Sequence, residues 1–154
     1  MPVRIRQLMT RRVHAVPSGG TLQDAARVLW ENDLAIVPVV DDDGALVGVL
    51  TDRDISLAAH AQGLALGEIP IERAVTRGPV TCDPDHDPQE VLRLMERHRL
   101  RRIPVTDAAG RLRGIVSFND LVRGCVLGEV SATGLMRALP LVGARRPRPA
   151  ALLV

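Results

Sequence analysis

Two short stretches of this chain place a hydroxyl residue three positions ahead of an aspartate. They are Gly48-Val-Leu-Thr51-Asp52-Arg53-Asp54 and Gly114-Ile-Val-Ser117-Phe118-Asn119-Asp120. Each opens with a glycine and two aliphatics, the pattern of a strand that runs out into the first turn of a helix. At such a corner Thr51 and Ser117 suit the helix N-cap, and Asp54 and Asp120 suit the positive end of the helix dipole. The same groups also suit a ligand. A hydroxyl beside a helix N-terminus takes a phosphate, and a carboxylate accepts charge-assisted hydrogen bonds from both hydroxyls of a ribose. Both roles stand for each residue, and the duplication weights the ligand role. A ligand with a phosphate and a vicinal diol is a ribonucleotide.

The residues around the two corners differ. Arg101 and Arg102 precede Ile103-Pro104, whereas their first-copy counterparts are Ala35 and Ile36. Guanidinium groups match phosphate geometry, so the second cleft is the better one for a phosphorylated ligand; the alternative is a solvated basic face continuing Arg97 and Arg99. In the first cleft the candidate cation is Arg53, whose counterpart is Asn119. Only Trp30 and Phe118 are aromatic, so aliphatic side chains must clamp a flat base. The candidates are Val16, Val37 and Pro38 in one copy, and Val80, Cys82, Ile103 and Pro104 in the other. Asp83, Asp85, His86 and Asp87 fit no metal-ligand spacing and are explained by turn and cap roles. No phosphate-binding glycine loop is present, and no nucleophile can be matched to a base. Neither a catalytic residue, nor a metal, nor a required cofactor is expected, and the chain reads as a non-enzyme.

The elements that position these residues come in two copies. A shift of 66 residues aligns residues 5–57 with 71–123 without a gap, bringing Thr10 onto Thr76, Pro38 onto Pro104, Asp41 onto Asp107 and Gly48 onto Gly114. One supersecondary unit is therefore used twice. Each copy opens with a short helical turn (Ile5 to Met9, Ile71 to Val75) and a short extended piece (His14 to Val16, Val80 to Cys82). A helix capped by Thr21 follows, with Leu22, Ala25, Ala26, Leu29 and Trp30 expected on one apolar face. In the second copy Asp87 is the cap and Pro88 the first helical residue. Next comes a hairpin: Ala35 to Val40, a turn at Asp41-Asp-Asp-Gly44, and Leu46 to Leu50, with its equivalent around Asp107 to Gly110. Pro38 and Pro104 cannot donate to a ladder and are expected at a strand start or edge. A closing helix runs from about Asp52 to Ala61 and from Asn119 to Leu127. The domains expected are 1–61, a linker 62–68, 69–127, and an extension 128–154 with a short helix from Glu129 to Leu139 and a disordered tail around Arg145 to Pro149.

Composition sets the outer limits. A chain of 154 residues with 46% apolar content can bury a core, but a unit of about 55 residues covers its sheet poorly by itself. No apolar run reaches the ~18 residues of a membrane span, and the N-terminus lacks a secretory pattern, so the expected location is cytoplasmic. Cys82 and Cys125 are expected as free thiols. A net charge of +2 is too small to indicate nucleic acid, and the scarcity of aromatics removes a stacking platform.

Taken together, these stretches resemble the cystathionine β-synthase (CBS) domain in its tandem form. The resemblance is carried by Gly48–Asp54 with Ile55, by Gly114–Asp120 with Leu121, and by the strands ending in Pro38 and Pro104. The segment His98-Arg-Leu-Arg-Arg-Ile-Pro-Val105 is similar to the nucleotide-contacting strand of the energy-sensing kinase γ subunits. Leu50-Thr-Asp-Arg-Asp-Ile55 is similar to the small stand-alone bacterial CBS-pair proteins, including the hypoxic-response type. The resemblance covers about residues 1–127. It implies an α/β (α+β) fold of two pseudosymmetric repeats, each a small three-stranded sheet with flanking helices, packed sheet to sheet. It further implies clefts that bind AMP, ADP, ATP, S-adenosylmethionine or a dinucleotide such as NAD, association into a homodimer, and regulation of an unknown protein partner, with no membrane. The alternatives are a ligand-free dimerisation or interaction module and, behind it, a nucleic-acid-associated regulator using Arg145, Arg146 and Arg148.

Overall fold

The computed structural model describes residues 2–128 and 130–142. The arginine–proline tail and Leu152-Leu-Val154 lie outside the described residues. The chain forms helix α1 (Ile5–Leu8), strand β1 (Val16–Pro17), α2 (Leu22–Glu31), β2 (Ile36–Val40), β3 (Leu46–Thr51) and α3 (Asp52–Gln62). Single 3₁₀ turns at Leu66–Glu68 and Ile71–Arg73 lead to β4 (Thr76–Arg77). The second copy supplies α4 (Pro88–His98), β5 (Arg102–Thr106), β6 (Leu112–Ser117) and α5 (Phe118–Val126), and α6 (Ala132–Val142) follows.

These elements gather into two compact units that do not follow the order of the repeats. One holds residues 14–79; the other joins residues 2–13 to residues 80–128 and 130–142. The leading segment of each copy thus belongs to the unit built by the other copy. In the first unit the sheet order is β1-β2-β3-β4, with β4 antiparallel to β3 through Val49 and Thr76. In the second, Thr10 bridges Ile115 on β6 and Cys82 bridges Val105 on β5. Shifted by 66, these are the same pairings. The entry into each unit is also repeated: the Ile71 amide donates to the Gly20 carbonyl at 3.0 Å, and the Ile5 amide to the His86 carbonyl at 3.2 Å. Ile5 and Ile71 are both fully buried, each in the core it enters. To the three strands expected of each unit, the exchanged segment adds a fourth partner.

Each core is mainly aliphatic, with Phe118 the aromatic member of the second. In the first unit Leu22, Ala25 and Leu29 of α2 meet Val37, Val39, Leu50 and Ile55; in the second Val91, Leu92 and Met95 of α4 meet Ile103, Val105, Val116 and Leu121. Trp30 departs from expectation. It lies about 100° round the helix from Leu29, which carries it off the apolar face, and it is 87% exposed. Pro38 also departs, standing mid-strand in β2 between β1 and β3, whereas Pro104 stands in β5 at the edge of the two-stranded β5-β6 sheet, with Cys82 bridging the adjacent Val105. The reason is visible beside Pro104: the Cys82 amide donates to the Pro104 carbonyl and the Thr106 amide to the Cys82 carbonyl, so this short ladder never calls on the proline nitrogen. Helix α6 spans Ala132–Val142, where the expectation was a helix from Glu129 to Leu139. It buries Leu135 and Ala138 against α4 and α5 and leaves Met136 and Leu139 exposed.

Gly48 and Gly114 have a steric reason. A Cβ on Gly48 would stand 2.5 Å from the Thr76 carbonyl oxygen, and one on Gly114 would stand 2.8 Å from that of Thr10. Both obstacles are backbone of the exchanged segment, which cannot yield as a side chain does. Gly48→Ala and Gly114→Ala are each expected to lower the unfolding free energy by ~1–3 kcal/mol in a urea titration. Gly19→Ala, where a Cβ meets open space, should stay within about 0.5 kcal/mol.

Candidate functional site

The two strand-to-helix corners are built alike. Thr51 keeps an extended backbone (φ −113°, ψ 162°) as the N-cap of α3. Its amide donates to Asp54 Oδ2 at 2.9 Å, its hydroxyl donates to the same oxygen at 2.8 Å, and the Asp54 amide donates back to Thr51 Oγ at 3.1 Å. At α5 the Ser117 amide and hydroxyl reach Asp120 Oδ2 at 2.7 and 2.6 Å, and the Asp120 amide returns to Ser117 Oγ at 3.1 Å. The paired residues read from sequence therefore do meet, and they form reciprocal capping boxes. Across the hairpins Thr51 stands opposite Ile36, and Ser117 opposite Arg102. Directly opposed residues share a face of the sheet, so the Arg102 side chain leaves the sheet beside the Ser117 hydroxyl. Arg101 is exposed at the strand entry, and its carbonyl accepts the Phe118 amide at 2.8 Å.

The corners diverge in what remains free. Asp54 is half-buried, and its Oδ1 has no hydrogen-bond partner among the described residues. Asp120 is 5% exposed, and its Oδ1 is held by the Arg123 guanidinium one turn along α5. The first-turn amide of Arg53 is taken by the Asp52 carboxylate at 2.8 Å. The equivalent amide of Asn119 has no partner among the described residues, and Phe118 replaces the carboxylate of Asp52. The first corner thus carries Asp52 and Asp54 with Arg53, and the second carries Asp120 with Arg101, Arg102 and Arg123. Sequence reasoning missed Arg123. Its acid–base spacing of three residues on a helix was the available signal, but its counterpart in the other copy is Leu57, which carries no chemistry.

The remaining candidates are floor and core. Val16, Val37, Cys82 and Ile103 are no more than 3% exposed and belong to the hydrophobic cores. Pro38 and Pro104 are buried, and Val80 is half-buried. What the strands offer a base beside these side chains is backbone. Burial pushes the Cys82 thiol up to about 12. The acidic run is used locally: the Asp83 amide donates to His86 Nδ1 at 2.7 Å, the Asp85 amide to Asp83 Oδ1 at 2.8 Å, and Asp87 caps α4.

Two copies of one α/β unit, each passing a strand through a capped corner into a helix, define a tandem-repeat protein. The chain belongs to the CBS domain family, whose model matches residues 5–61 and again 67–127. Hypoxic response protein 1 of Mycobacterium tuberculosis is 36% identical over 118 residues, covering 77% of this chain and 82% of that protein. Among solved structures, CBSX2 in complex with AMP, a protein of Arabidopsis thaliana, superposes with a TM-score of 0.72 at 29% identity, covering 82% of this chain and 98% of that one. The CBS pair of MJ0100 in complex with 5′-methylthioadenosine and S-adenosyl-L-methionine gives 0.70 at 27% identity, covering 83% and 98%. CBS-pair proteins are generally regulatory. Among the described residues no helix is long and apolar enough to cross a membrane.

Ser117→Ala and Thr51→Ala each remove a cap and are expected to cost about 1 kcal/mol of stability in the absence of ligand. In the folded protein at about pH 8 a thiol reagent should modify the half-buried Cys125 and spare Cys82, whose burial both shields it and keeps its thiol protonated; reaction of both without denaturant would contradict the buried placement of Cys82.

Proposed function

We propose that the chain is a regulatory module that binds an adenosine-bearing ligand at its strand-to-helix corners and transmits ligand state through rearrangement of the repeat pair. The observation that carries this is the duplicated corner, in which a carboxylate, a hydroxyl and a helix N-terminus converge on one backbone turn. Adenosine is the part shared by the ligands of the two solved relatives, and its ribose diol is the group a carboxylate such as Asp54 or Asp120 recognises. AMP, ADP, ATP, S-adenosylmethionine and NAD are the candidates.

The second corner is the one for a phosphorylated ligand. The Asn119 amide stands without a partner at the start of α5, and Arg102 leaves the sheet beside Ser117. Arg123 must release Asp120 Oδ1 for a ribose to reach it. The Arg123 side chain is 72% exposed but that of Asp120 is 6% exposed, so the arm turns to a phosphate only as the ribose hydroxyls take over the oxygen it leaves. The ligand acts on the pair only through different affinities for two arrangements. Two copies of the chain associate and act on a regulated protein.

Isothermal titration with AMP, ATP, S-adenosylmethionine and NAD tests the proposal; absence of binding by all four at millimolar concentration would remove it. For ATP, Asp120→Ala and Arg102→Ala are expected to weaken binding more than Asp54→Ala and Arg53→Ala. Equal losses would mean that the basic second corner has no advantage.

A further inference from the structure

Residues 2–13 complete the second unit, and the turn of residues 83–86 holds their start. The Ile5 amide donates to the His86 carbonyl at 3.2 Å and the Arg6 amide to the Pro84 carbonyl at 2.9 Å. The Arg4 guanidinium donates to the Asp85 carbonyl at 3.2 Å, and that of Arg6 pairs with the Asp85 carboxylate. All but the last of these acceptors are backbone, so the hold depends on the shape of the turn. Two side chains set that shape. The Asp85 amide donates to Asp83 Oδ1 at 2.8 Å, and the Asp83 amide donates to His86 Nδ1 at 2.7 Å.

The other copy holds its entering segment without such a side chain. Its aligned turn is Pro17-Ser-Gly-Gly20. The Gly20 amide closes it on the Pro17 carbonyl at 3.0 Å, and the Ile71 amide donates to the Gly20 carbonyl at 3.0 Å. An imidazole is therefore not required to hold an entering segment. What it adds to the second copy is a titratable group. Only a neutral ring protonated at Nε2 offers a lone pair at Nδ1, and histidine changes charge between about pH 5 and 8. His86 is half-buried and lines an open groove of about 600 Å³, so water reaches the ring. Asp83, Asp85 and Asp87 flank it in the chain, and Arg4 and Arg6 face it from the entering segment. Helix α4 turns Glu90, Arg93, Glu96 and Arg97 to the same groove, and α6 contributes only Leu141. The carboxylates favour an imidazolium and the arginines oppose it.

We propose that His86 is a proton-operated latch on residues 2–13. A proton arriving at Nδ1 turns the acceptor of the Asp83 amide into a second donor facing it, and the turn opens. The hold is complete while the ring is neutral and weakens as pH falls through the titration of the ring. The loosened segment carries Thr10, whose amide and carbonyl bond Ile115 on β6 at 2.9 and 3.0 Å. Strand β6 ends at Ser117, so release of the latch also takes a partner from the strand that leads into the second corner. The inference rests neither on ligand binding nor on the association of copies.

Nuclear magnetic resonance of the full chain, titrated from about pH 7.5 to about pH 5.5, tests this. At the upper end the His86 ring should carry its proton on Nε2. As the ring titrates, the Asp83, Ile5 and Arg6 amide shifts should move with the same midpoint. Exchange of the Ile5 and Arg6 amides, corrected for the intrinsic rate at each pH, should quicken about fivefold. The Ile71 amide, held by Gly20, should not respond. His86→Asn places an amide oxygen where Nδ1 stands and does not titrate, so it should keep both amides protected throughout. His86→Leu should expose them at both ends. Ile5 and Arg6 equally protected on both sides of the His86 titration, a ring that stays neutral to the lower end, or a ring protonated on Nδ1 at the upper end overturns the inference. So does a full pH response in His86→Asn, which would assign the effect to the carboxylates.

Discussion

One carboxylate oxygen that accepts both an amide and a hydroxyl fixes the point at which strand becomes helix. Thr51 and Ser117 each hold two positions at once: they are the last rung of a hairpin and the cap of the next helix. A register slip of one residue would turn the strand's buried face outward and would also break the cap. Sheet register and helix phase are therefore locked together, and the inward placement of Ile55 and Ala58 on α3, and of Leu121 on α5, follows from where the cap lies.

The cap and the proposed ligand draw on the same atoms. In this structure the Thr51 and Ser117 hydroxyl hydrogens point to carboxylates, and the hydroxyl oxygens already accept one amide each. What is left for a guest is Oδ1 of Asp54, an oxygen of Asp120 on loan to Arg123, the Asn119 amide and the arginines along β5. The two corners are copies in sequence, and their differences in charge come from single positions: Asp52 against Phe118, Leu57 against Arg123, Ala35 against Arg101, Ile36 against Arg102 and, in the opposite sense, Arg53 against Asn119. The sum leaves the second corner the more basic.

Much of this was legible from the 66-residue shift, because bonds recur with the residues. The hairpins, the caps at Thr21 and Asp87, and the corner pairs all fall where the aligned copies place them. The exchange of leading segments was not legible. Ile5 aligns with Ile71 whichever core each one enters, so internal similarity is blind to which copy completes which unit. Trp30 was misplaced because a helical period assigns a face only to within a neighbouring position, and an indole at the margin can turn outward. Pro38 was misjudged because the rule against central prolines concerns the nitrogen, and a two-residue partner strand asks only for the carbonyl. Val16, Val37, Cys82 and Ile103 were singled out as clamp residues, and an aliphatic residue beside a site cannot be told from core by type alone.

The exchanged segments tie the fates of the two units together. Residues 2–13 complete the unit of the later copy, and residues 71–77 complete that of the earlier one. A solitary copy would hold a vacancy where β3 seeks its outer neighbour, along with a leading segment that has no place of its own. It could close only by trading that segment with another chain. Joining two copies in tandem turns the trade into an intramolecular one, at the high effective concentration of a tether. Ile71 in one core and Cys82 in the other stand 82 − 71 = 11 residues apart in the chain, so a short covalent connection joins the two cores.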